Sequence, residues 1–301
     1  MSSWISDLGP ALTLRQQENL YRQRLTLGTA QGPLVQLEGR EYFNFSSNDY
    51  LGLANHPAVI SAFQSSTQQY GVGAGASHLV VGHQQPHEAL EVALAEFTGR
   101  DRALLFSGGY MANLGVLKAL LRKDDVIIQD KLNHASLIDG GIASGAQFFR
   151  YRHNDLNHLE QLLKKSAAAD NGLRKILAVD GVFSMDGDIA PLDALANMCD
   201  AYDMALMVDD AHGFGVLGEQ GAGCSEHFGL DQERLPIVMG TLGKAVGVSG
   251  AFVAGSHEMI ETLIQYSRTY IYTTALPPAC AAAALQSLNI IKAEPERREH
   301  L

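Results

Sequence analysis

Short apolar runs alternate with amphipathic stretches through the middle of the chain. In the amphipathic stretches at 155–168 and 191–202, leucines recur at helical spacing and predict helices. Strands that alternate with helices predict a mainly parallel sheet with helices on both faces, and therefore an α/β fold. The apolar runs predict seven strands, at 103–106, 125–129, 147–151, 175–179, 205–208, 236–240 and 250–254.

The two ends of the chain differ from this alternating middle. Residues 1–30 predict a helical arm rich in arginine and glutamine, which a hairpin around Gly39 follows. Pro277-Pro278 opens an alanine- and leucine-rich helix that is predicted to run to Lys292. We therefore expect three parts: an arm and small segment at 1–45, a large domain at 46–276, and the start of a linker helix at 277–301.

Composition narrows the classes of function. With 46% hydrophobic and 18% charged residues among 301, the chain can bury a substantial core. The net charge of -11 argues against general nucleic-acid binding, which needs a basic face. No apolar stretch approaches the roughly 20 residues of a membrane helix, and the first residues lack the pattern of a signal peptide. The three cysteines lie far apart, as expected of a cytoplasmic protein with reduced thiols.

Lys244 is the most informative single residue. It lies among glycine and small residues just after the strand predicted at 236–240. Burying an ammonium group is costly unless it is paired or used chemically, and desolvation exposes a nucleophilic amine suited to a Schiff base. Asp209 follows the strand predicted at 205–208, and a carboxylate and a lysine are the two groups that pyridoxal phosphate requires. A structural Asp–Lys ion pair explains the same two residues equally well.

Other polar residues also follow predicted strands. A glycine-rich turn at Gly109 opens a helix and could hold a phosphate, although such turns are common. His134 could stack on a cofactor ring, or only cap the next helix together with Ser136. Ligands bind such sheets at the carboxyl ends of the strands. A single cofactor site is therefore predicted where these residues converge: Gly109, His134, Ser184, Asp209, His212 and Lys244.

Two further kinds of site find little support. His83 and His87 have helical spacing, but a proline interrupts them and the His-Glu-x-x-His pattern of zinc helices is absent, so we predict no metal site. Asp209-Asp210 lacks the second acidic cluster that a magnesium site would need. The glycine-rich run at 71–76 follows a helical pattern rather than a strand, which argues against a nicotinamide dinucleotide site.

Five longer motifs carry a more specific signal: Asn44–Leu53, Asn133–Ser136, Gly181–Asp188, Val208–Gly213 and Thr241–Lys244. With these motifs the chain resembles, over nearly its whole length, the α-oxoamine synthases. These are fold-type I enzymes that depend on pyridoxal phosphate. The resemblance implies an aminotransferase-like fold with a seven-stranded sheet, and a cofactor site in the domain at 46–276.

The resemblance implies roles for the predicted site residues. Lys244 would bond to the cofactor as an imine and later move the proton at the substrate Cα. Asp209 would keep the pyridine nitrogen protonated, and His134 would stack on the ring. These three are the predicted catalytic residues. His212 and Ser184 would lie near the phenolic oxygen of the cofactor.

The cofactor phosphate would be held by two groups of residues. Gly109, Tyr110 and Thr241 would bind it within one chain. Thr273 and Thr274 would reach the phosphate of the neighbouring subunit, so the resemblance implies a homodimer with shared active sites.

The implied reaction is a decarboxylative condensation of L-alanine with a pimeloyl thioester in biotin biosynthesis. Arg22 and Asn48 would lie on the substrate side, and the acyl carrier would be coenzyme A or an acyl carrier protein. The stretch at 71–79 favours this member of the family. Two alternatives stay open: a sister enzyme that uses glycine and acetyl-CoA, and a non-catalytic subunit with the same fold.

The sequence departs from the family pattern at its C-terminus. The resemblance implies a further α/β subdomain with an arginine that binds the substrate carboxylate, and the chain ends at Leu301 without it. We expect a truncated version of a longer protein that is weakly active or inactive.

Overall fold

The computed structural model describes residues 3–167 and 172–301, so position 168 of the helix predicted at 155–168 lies outside the described residues. The chain forms two compact units, one that ends at Ser46 and one that spans Ser47–Leu301. Within these described ranges, no helix combines the length and apolarity needed to cross a membrane. The three-part division at 1–45, 46–276 and 277–301 stays a prediction.

The first unit contains two helices and the predicted hairpin. The helices are α1 (Ser3–Ser6) and α2 (Leu8–Gln17), and the hairpin pairs β1 (Leu34–Leu37) with β2 (Arg40–Phe43) in antiparallel register. Glu38 and Gly39 join the two strands with φ values of 51° and 77°, the left-handed conformation that a two-residue hairpin turn requires.

The predicted helical arm over residues 1–30 was too long. The helix α2 ends at Gln17, and the backbone of Asn19 turns left-handed with a φ of 55°. Asparagine tolerates this conformation at a helix end, where Leu20 N–H returns 2.9 Å to the carbonyl of Arg15. Leu27 then bridges to Leu37 of the hairpin, so this part of the arm is extended rather than helical.

The second unit is built on a seven-stranded sheet with the order β3-β9-β8-β7-β6-β4-β5. Only β9 runs antiparallel to its neighbours, and the other pairs are parallel. Every predicted strand is present with its ends displaced by no more than one residue, which confirms the predicted α/β fold. The strands are β3 (Arg102–Phe106), β4 (Val126–Asp130), β5 (Gln147–Tyr151), β6 (Lys175–Asp180), β7 (Ala205–Asp209), β8 (Ile237–Thr241) and β9 (Ala251–Gly255).

Helices connect and cover these strands. They are α3 (Pro57–Tyr70), α4 (Gln85–Thr98), α5 (Gly109–Leu120), α6 (Ala135–Ser144), α7 (Leu156–Ala167), α8 (Leu192–Tyr202), α9 (Cys224–His227), α10 (His257–Tyr266), α11 (Arg268–Ile271), α12 (Pro278–Ala293) and α13 (Glu296–His300), with a π-helical turn at His78–Gly82. The helix predicted after Pro277-Pro278 is α12. It packs against α3 and α4 within the second unit.

Apolar side chains of the sheet alternate between two cores. In β4, Val126 and Ile128 pack with residues of α7 and α8, whereas Ile127 packs with residues of α5 and α6. Successive side chains of a strand point to opposite faces, so helices on both sides leave each strand almost fully buried. The apolar runs read from the sequence are therefore continuous rather than alternating.

Candidate active site

A cavity of about 190 Å³ opens at the carboxyl edge of the parallel strands. The strands β3, β4, β6, β7 and β8 all run in one direction, so the loops that follow them meet at this edge. The structure brings eight of the predicted site residues to the cavity wall: Gly109, Tyr110, His134, Ser184, Asp209, His212, Thr241 and Lys244.

Four predicted site residues lie elsewhere. Thr273 and Thr274 follow α11 and are not part of the cavity wall, although Thr274 bridges to Ser77 in the same unit. Asn48 is exposed and accepts a hydrogen bond from the hydroxyl of Tyr50 at 3.3 Å. Arg22 belongs to the first compact unit, where it is exposed.

Asp209 is the last residue of β7 and forms a buried part of the cavity wall. Its Oδ2 accepts a hydrogen bond of 2.7 Å from Nδ2 of Asn113, and its Oδ1 accepts one of 3.0 Å from Ala211 N–H. Burial raises the pKa of the Asp209 carboxyl, while these hydrogen bonds and the charge of Lys244 act in the opposite direction. The carboxylate is thus held in place but lacks a cationic partner in direct contact among the described side chains.

Asp180 is a second buried carboxyl beside Asp209, and the sequence analysis missed it. The two residues are register partners at the ends of the parallel strands β6 and β7. Asp180 Oδ2 accepts a hydrogen bond of 2.8 Å from His134 N–H, but Oδ1 is buried without a partner in the part of the chain that the structure describes. Burial, and then the charge of Asp209, raise the pKa of Asp180. The strand-end rule that identified Asp209 applies equally to Asp180, which directly follows the strand predicted at 175–179.

Lys244 follows β8 and faces the same cavity as Asp209. Burial lowers the pKa of its amine, whereas the nearby carboxylates of Asp209 and Asp180 raise it. Its Nζ lies 2.9 Å from Nε2 of His212. Burial, followed by the charge of Lys244, lowers the pKa of His212 to about 4, so this imidazole is neutral at pH 7 and can accept from the ammonium.

Tyr50 continues this contact toward the surface and was also missed. Its hydroxyl lies 2.7 Å from Nδ1 of His212 and 3.3 Å from Oδ1 of Asn48. With Nε2 of His212 as acceptor, Nδ1 carries the proton and donates to the Tyr50 hydroxyl, which in turn donates to Asn48. Tyr50 lies inside the first quoted motif, so the sequence contained the signal, although nothing there distinguished its role.

His134 caps the next helix together with Ser136, as one of the two readings of the sequence expected, while its stacking on a cofactor ring stays a prediction. His134 is the residue before α6, and its Nδ1 accepts a hydrogen bond from Ser136 N–H at 3.3 Å while it lies 2.7 Å from Ser136 Oγ. Ser136 Oγ also accepts from Asn113 Nδ2 at 2.9 Å, which connects the helix cap to the amide that holds Asp209. His134 therefore caps the helix and also faces the cavity.

A cluster of three histidines lies outside the cavity. His78 Nδ1 lies 2.9 Å from His83 Nδ1, and the rings of His78 and His87 have centroids 5.2 Å apart. Nitrogen atoms of the three come within 4.8 Å of one another, as a metal site would require. However, Nδ1 of His87 accepts from Gln84 N–H at 3.0 Å and Nε2 donates to the Leu276 carbonyl at 2.6 Å. Both ring nitrogens of His87 are thus already used, one to cap α4 and the other to bond the segment just before α12.

Comparison with known proteins decides the family. The sequence model of aminotransferase class I and II matches residues 40–301. The chain belongs to this family. It is 60% identical over 301 residues to 8-amino-7-oxononanoate synthase of Hahella chejuensis. The alignment covers 100% of this chain and 75% of that protein. The same enzyme of Cellvibrio japonicus is 58% identical and covers 98% of this chain and 73% of that protein.

Solved structures of related aminotransferase-family proteins agree. Serine palmitoyltransferase of Sphingomonas wittichii superposes with a TM-score of 0.90 at 32% identity, covering 99% of this chain and 74% of that one. 8-Amino-7-oxononanoate synthase of Francisella tularensis superposes with a TM-score of 0.72 at 35% identity, and the match covers 85% of this chain and 70% of that one. The chain is a fold-type I enzyme of the α-oxoamine synthases, as its motifs indicated, and pyridoxal phosphate is their cofactor. It spans about three-quarters of the length of the curated relatives.

The cavity of this aminotransferase-family chain fits pyridoxal phosphate by the chemistry of its groups. Burial raises the pKa of the Asp209 and Asp180 carboxyls at this wall, and Oδ1 of Asp180 lacks a partner among the described residues. A cationic ring nitrogen would supply the positive charge that these carboxyls need in order to ionise. Lys244 supplies the amine for an imine bond. The first turn of α5, at Gly109 and Tyr110, presents backbone N–H groups to the cavity, as a phosphate requires.

Proposed function

We propose that this chain catalyses the 8-amino-7-oxononanoate synthase reaction, the condensation of L-alanine with a pimeloyl thioester with loss of CO₂, in biotin biosynthesis. The observation that carries the proposal is that Lys244 and Asp209, on neighbouring strand ends, face one cavity. Relatives at 57–60% identity over nearly the whole chain bear this enzyme name, which supports the choice of substrates.

Pyridoxal phosphate, when bound, supplies an electron sink for the electrons released at the substrate Cα. The side chains of this protein do the rest. Lys244 would provide the amine that bonds to the cofactor until the amino group of alanine replaces it there. Lys244, then a free base, would take the proton from Cα and return one. Burial keeps the pKa of that amine below its ordinary value, which brings it closer to the working pH of a general base. Asp209 holds the ring nitrogen in its protonated form.

Three further side chains position the ring. His134 is proposed to stack on its face, while His212 and Ser184 are proposed to lie near its phenolic oxygen. Because His212 is neutral, its Nε2 can accept a hydrogen bond from the Lys244 amine without repulsion between two positive charges. This contact would hold the amine in the cavity where it is to bond to the cofactor. Asn113 and Ala211 fix the carboxylate of Asp209, so it needs little reorganisation to meet the ring nitrogen.

The phosphate is proposed to lie at Gly109, Tyr110 and Thr241. Thr273 and Thr274 would complete the phosphate site of a neighbouring subunit in a homodimer. Their position outside the cavity wall of their own chain is compatible with that role.

The substrate side is proposed to include Arg22 and Asn48, with the pimeloyl group carried by coenzyme A or by an acyl carrier protein. Asn48 accepts from the Tyr50 hydroxyl, which in turn lies beside His212, so it is connected to the cavity by hydrogen bonds. A cytoplasmic location is compatible with the unpaired thiols of Cys199, Cys224 and Cys280.

The test begins with the covalent link. The protein is loaded with pyridoxal phosphate, reduced with borohydride and digested, and mass spectrometry should find the pyridoxyl adduct on Lys244. Lys244→Ala should lose both the adduct and the visible absorbance, whereas Lys131→Ala, at an exposed lysine, should keep them. An adduct on another lysine with Lys244 unmodified would refute the site.

A second assay tests the substrates. Alanine and glycine are each combined with pimeloyl and acetyl thioesters of coenzyme A and of acyl carrier protein. Release of CO₂ with formation of 8-amino-7-oxononanoate from alanine and a pimeloyl thioester supports the proposal. A preference for glycine with acetyl-CoA would instead identify the sister enzyme, and cofactor binding without turnover of any pair would favour a non-catalytic subunit.

A further inference from the structure

The loop that carries Ser184 is held in shape by its two stems. Val182 and Ile189 form a bridge across it. Phe183 N–H donates to the Asp188 carbonyl at 2.9 Å, and Gly187 N–H donates to the Phe183 carbonyl at 2.8 Å. Ser184 directly follows Phe183, so any group that fixes Phe183 and Asp188 also fixes where the Ser184 hydroxyl enters the cavity.

His153, in the turn after β5, touches both stems. Its Nε2 lies 2.8 Å from Oδ2 of Asp188. Its ring meets the ring of Phe183 edge to face, with centroids 4.4 Å apart and an interplanar angle of 87°. His153 does not line the cavity, so it contacts the loop from behind rather than from the substrate side.

The other ring nitrogen of His153 is tied to the sheet. Nδ1 lies 3.0 Å from Oδ1 of Asp130, the buried last residue of β4. Asp130 is itself fixed by two backbone groups, since Leu132 N–H donates to Oδ1 at 2.8 Å and Asn154 N–H donates to Oδ2 at 2.9 Å. The imidazole of His153 thus connects Asp130, which the sheet and the following turn hold in place, to Asp188 of the loop.

Such a bridge requires a charged imidazole. Both nitrogens face carboxylates, and both are donors only in the imidazolium form. Burial opposes this charge, but the hydrogen bonds and charges of Asp130 and then of Asp188 outweigh it and raise the pKa of His153. The titratable neighbours of this cluster are Asp130, Asp188, Tyr151 and Asp180, none of which adds a positive charge beside it. The bridge therefore persists to a higher pH than an ordinary histidine would allow, and it is lost as the pH rises through the folded-state pKa of His153.

We propose that His153 is a positioning residue, whose imidazolium joins Asp130 to Asp188 and so holds the loop that presents Ser184 to the cofactor. The inference rests on the proposed function for the role of Ser184. The geometry of the bridge itself is independent of any substrate.

The test compares amide hydrogen exchange of the peptide covering 181–190 in the cofactor-free protein. In His153→Gln the side-chain nitrogen of glutamine cannot reach both carboxylates, because they lie at opposite ends of the imidazole. Backbone exchange of this peptide should therefore rise at least about tenfold. His257→Gln, at an exposed histidine that begins α10, is the matched control and should leave the peptide unchanged. Unchanged exchange in His153→Gln would overturn the proposal.

Asp188→Asn tests the charge. An asparagine can donate to a neutral imidazole as well as accept from a charged one, so protection of the loop should become nearly independent of pH. The wild type, by contrast, should lose protection as the pH rises through the raised pKa of His153, after correction for intrinsic exchange. A wild type whose loop shows no such loss, or an Asp188→Asn variant that shows the same loss, would contradict the bridge. If His153→Gln does not fold, this variant decides alone.

The kinetic measurement separates this inference from the proposed function. Misplacing a group at the reacting centre by about 1 Å can cost on the order of a hundredfold. His153→Gln should therefore lower kcat roughly ten- to a hundredfold with little change in the KM for alanine, and shift the pH at which bound cofactor absorbance changes. If loop exchange responds as expected while no condensation product forms in the wild type, the proposed function fails and the bridge stands. If the wild type forms the condensation product, and His153→Gln has the same loop exchange and the same kcat, the role of His153 is refuted while the proposed function stands.

Discussion

Nζ of Lys244 lies 2.9 Å from Nε2 of His212, and the Tyr50 hydroxyl lies 2.7 Å from Nδ1 on the other side of the same ring. Because burial keeps His212 neutral, the ring must choose one tautomer, and the ammonium of Lys244 selects the one with its proton on Nδ1. The hydroxyl of Tyr50 accepts a hydrogen bond from this Nδ1–H. The orientation of the ring beside the reactive amine therefore depends on a tyrosine that does not line the cavity.

Tyr50→Phe should lower kcat about fivefold, since one neutral hydrogen bond contributes about 1 kcal/mol and about 1.4 kcal/mol corresponds to a factor of ten. Steady-state kinetics of cofactor-loaded protein measure the effect. Tyr266→Phe, at a tyrosine that is 67% exposed on α10, is the control and should leave kcat unchanged. Equal kcat values for wild type and Tyr50→Phe would show that Lys244 alone orients the ring.

The sequence predicted most of this site because its residues follow strands. Asp209, His134 and Lys244 each stand just past an apolar run, and parallel strands end at one edge, so their convergence follows from the α/β pattern alone. Asp180 obeys the same rule, since it directly follows the strand predicted at 175–179 just as Asp209 follows the strand predicted at 205–208, and it was missed although the sequence contained the signal.

Contacts between distant segments could not be predicted in the same way. Asn113 lies inside α5, and nothing in its neighbourhood indicates that its amide reaches Asp209, 96 residues away. Likewise, the sequence pointed only to His83 and His87, whereas the π-helical turn at His78–Gly82 brings the ring of His78 next to that of His87. Such side-chain pairs depend on how the elements pack, which periodicity does not encode.

Asp209→Asn should abolish most activity while leaving cofactor binding partly intact. An amide cannot stabilise a protonated ring nitrogen as a carboxylate does, so kcat should fall at least about a hundredfold. Asp180→Asn keeps the acceptor for His134 N–H and should cost less than about tenfold. The comparison uses kcat and the absorbance of bound cofactor. Similar losses in the two variants would mean that the carboxyls act as a pair, with no separate role for Asp209.

Glu91 predicts a dependence of stability on pH. It is buried in α4, where its Oε1 accepts a hydrogen bond of 2.9 Å from Leu105 N–H. Burial raises the pKa of Glu91 to about 8, against a backbone hydrogen bond that lowers it. Because the folded-state value is raised, stability should be highest below the unfolded value near 4.3 and should fall as the pH rises toward about 8.

Glu91→Gln should remove this slope, because glutamine still accepts from Leu105 N–H and carries no charge. At pH 8.5 the variant should unfold with a free energy higher by on the order of 4 kcal/mol, while the difference should nearly vanish at pH 4.5. Urea unfolding at several pH values measures it. Glu96→Gln, exposed on the same helix, is the control and should keep the wild-type slope. A wild-type slope in Glu91→Gln would show that the carboxyl is ionised in the folded protein.

Gly223 combines two constraints that can be separated by experiment. Its φ is 92°, and a Cβ there would overlap Oδ2 of Asp210, the buried carboxylate that accepts from Cys224 N–H at 2.8 Å. Gly229 also has a positive φ, 62°, but a Cβ there would meet no atom within 4 Å. Gly229→Ala should therefore cost only the backbone strain, about 1 kcal/mol. Gly223→Ala should cost roughly 3 kcal/mol or more, because the buried carboxylate must also move. The midpoints of urea unfolding, with unchanged denaturant slopes, measure the loss of stability in the two variants. Equal losses would mean that the Asp210 side chain moves aside at little cost.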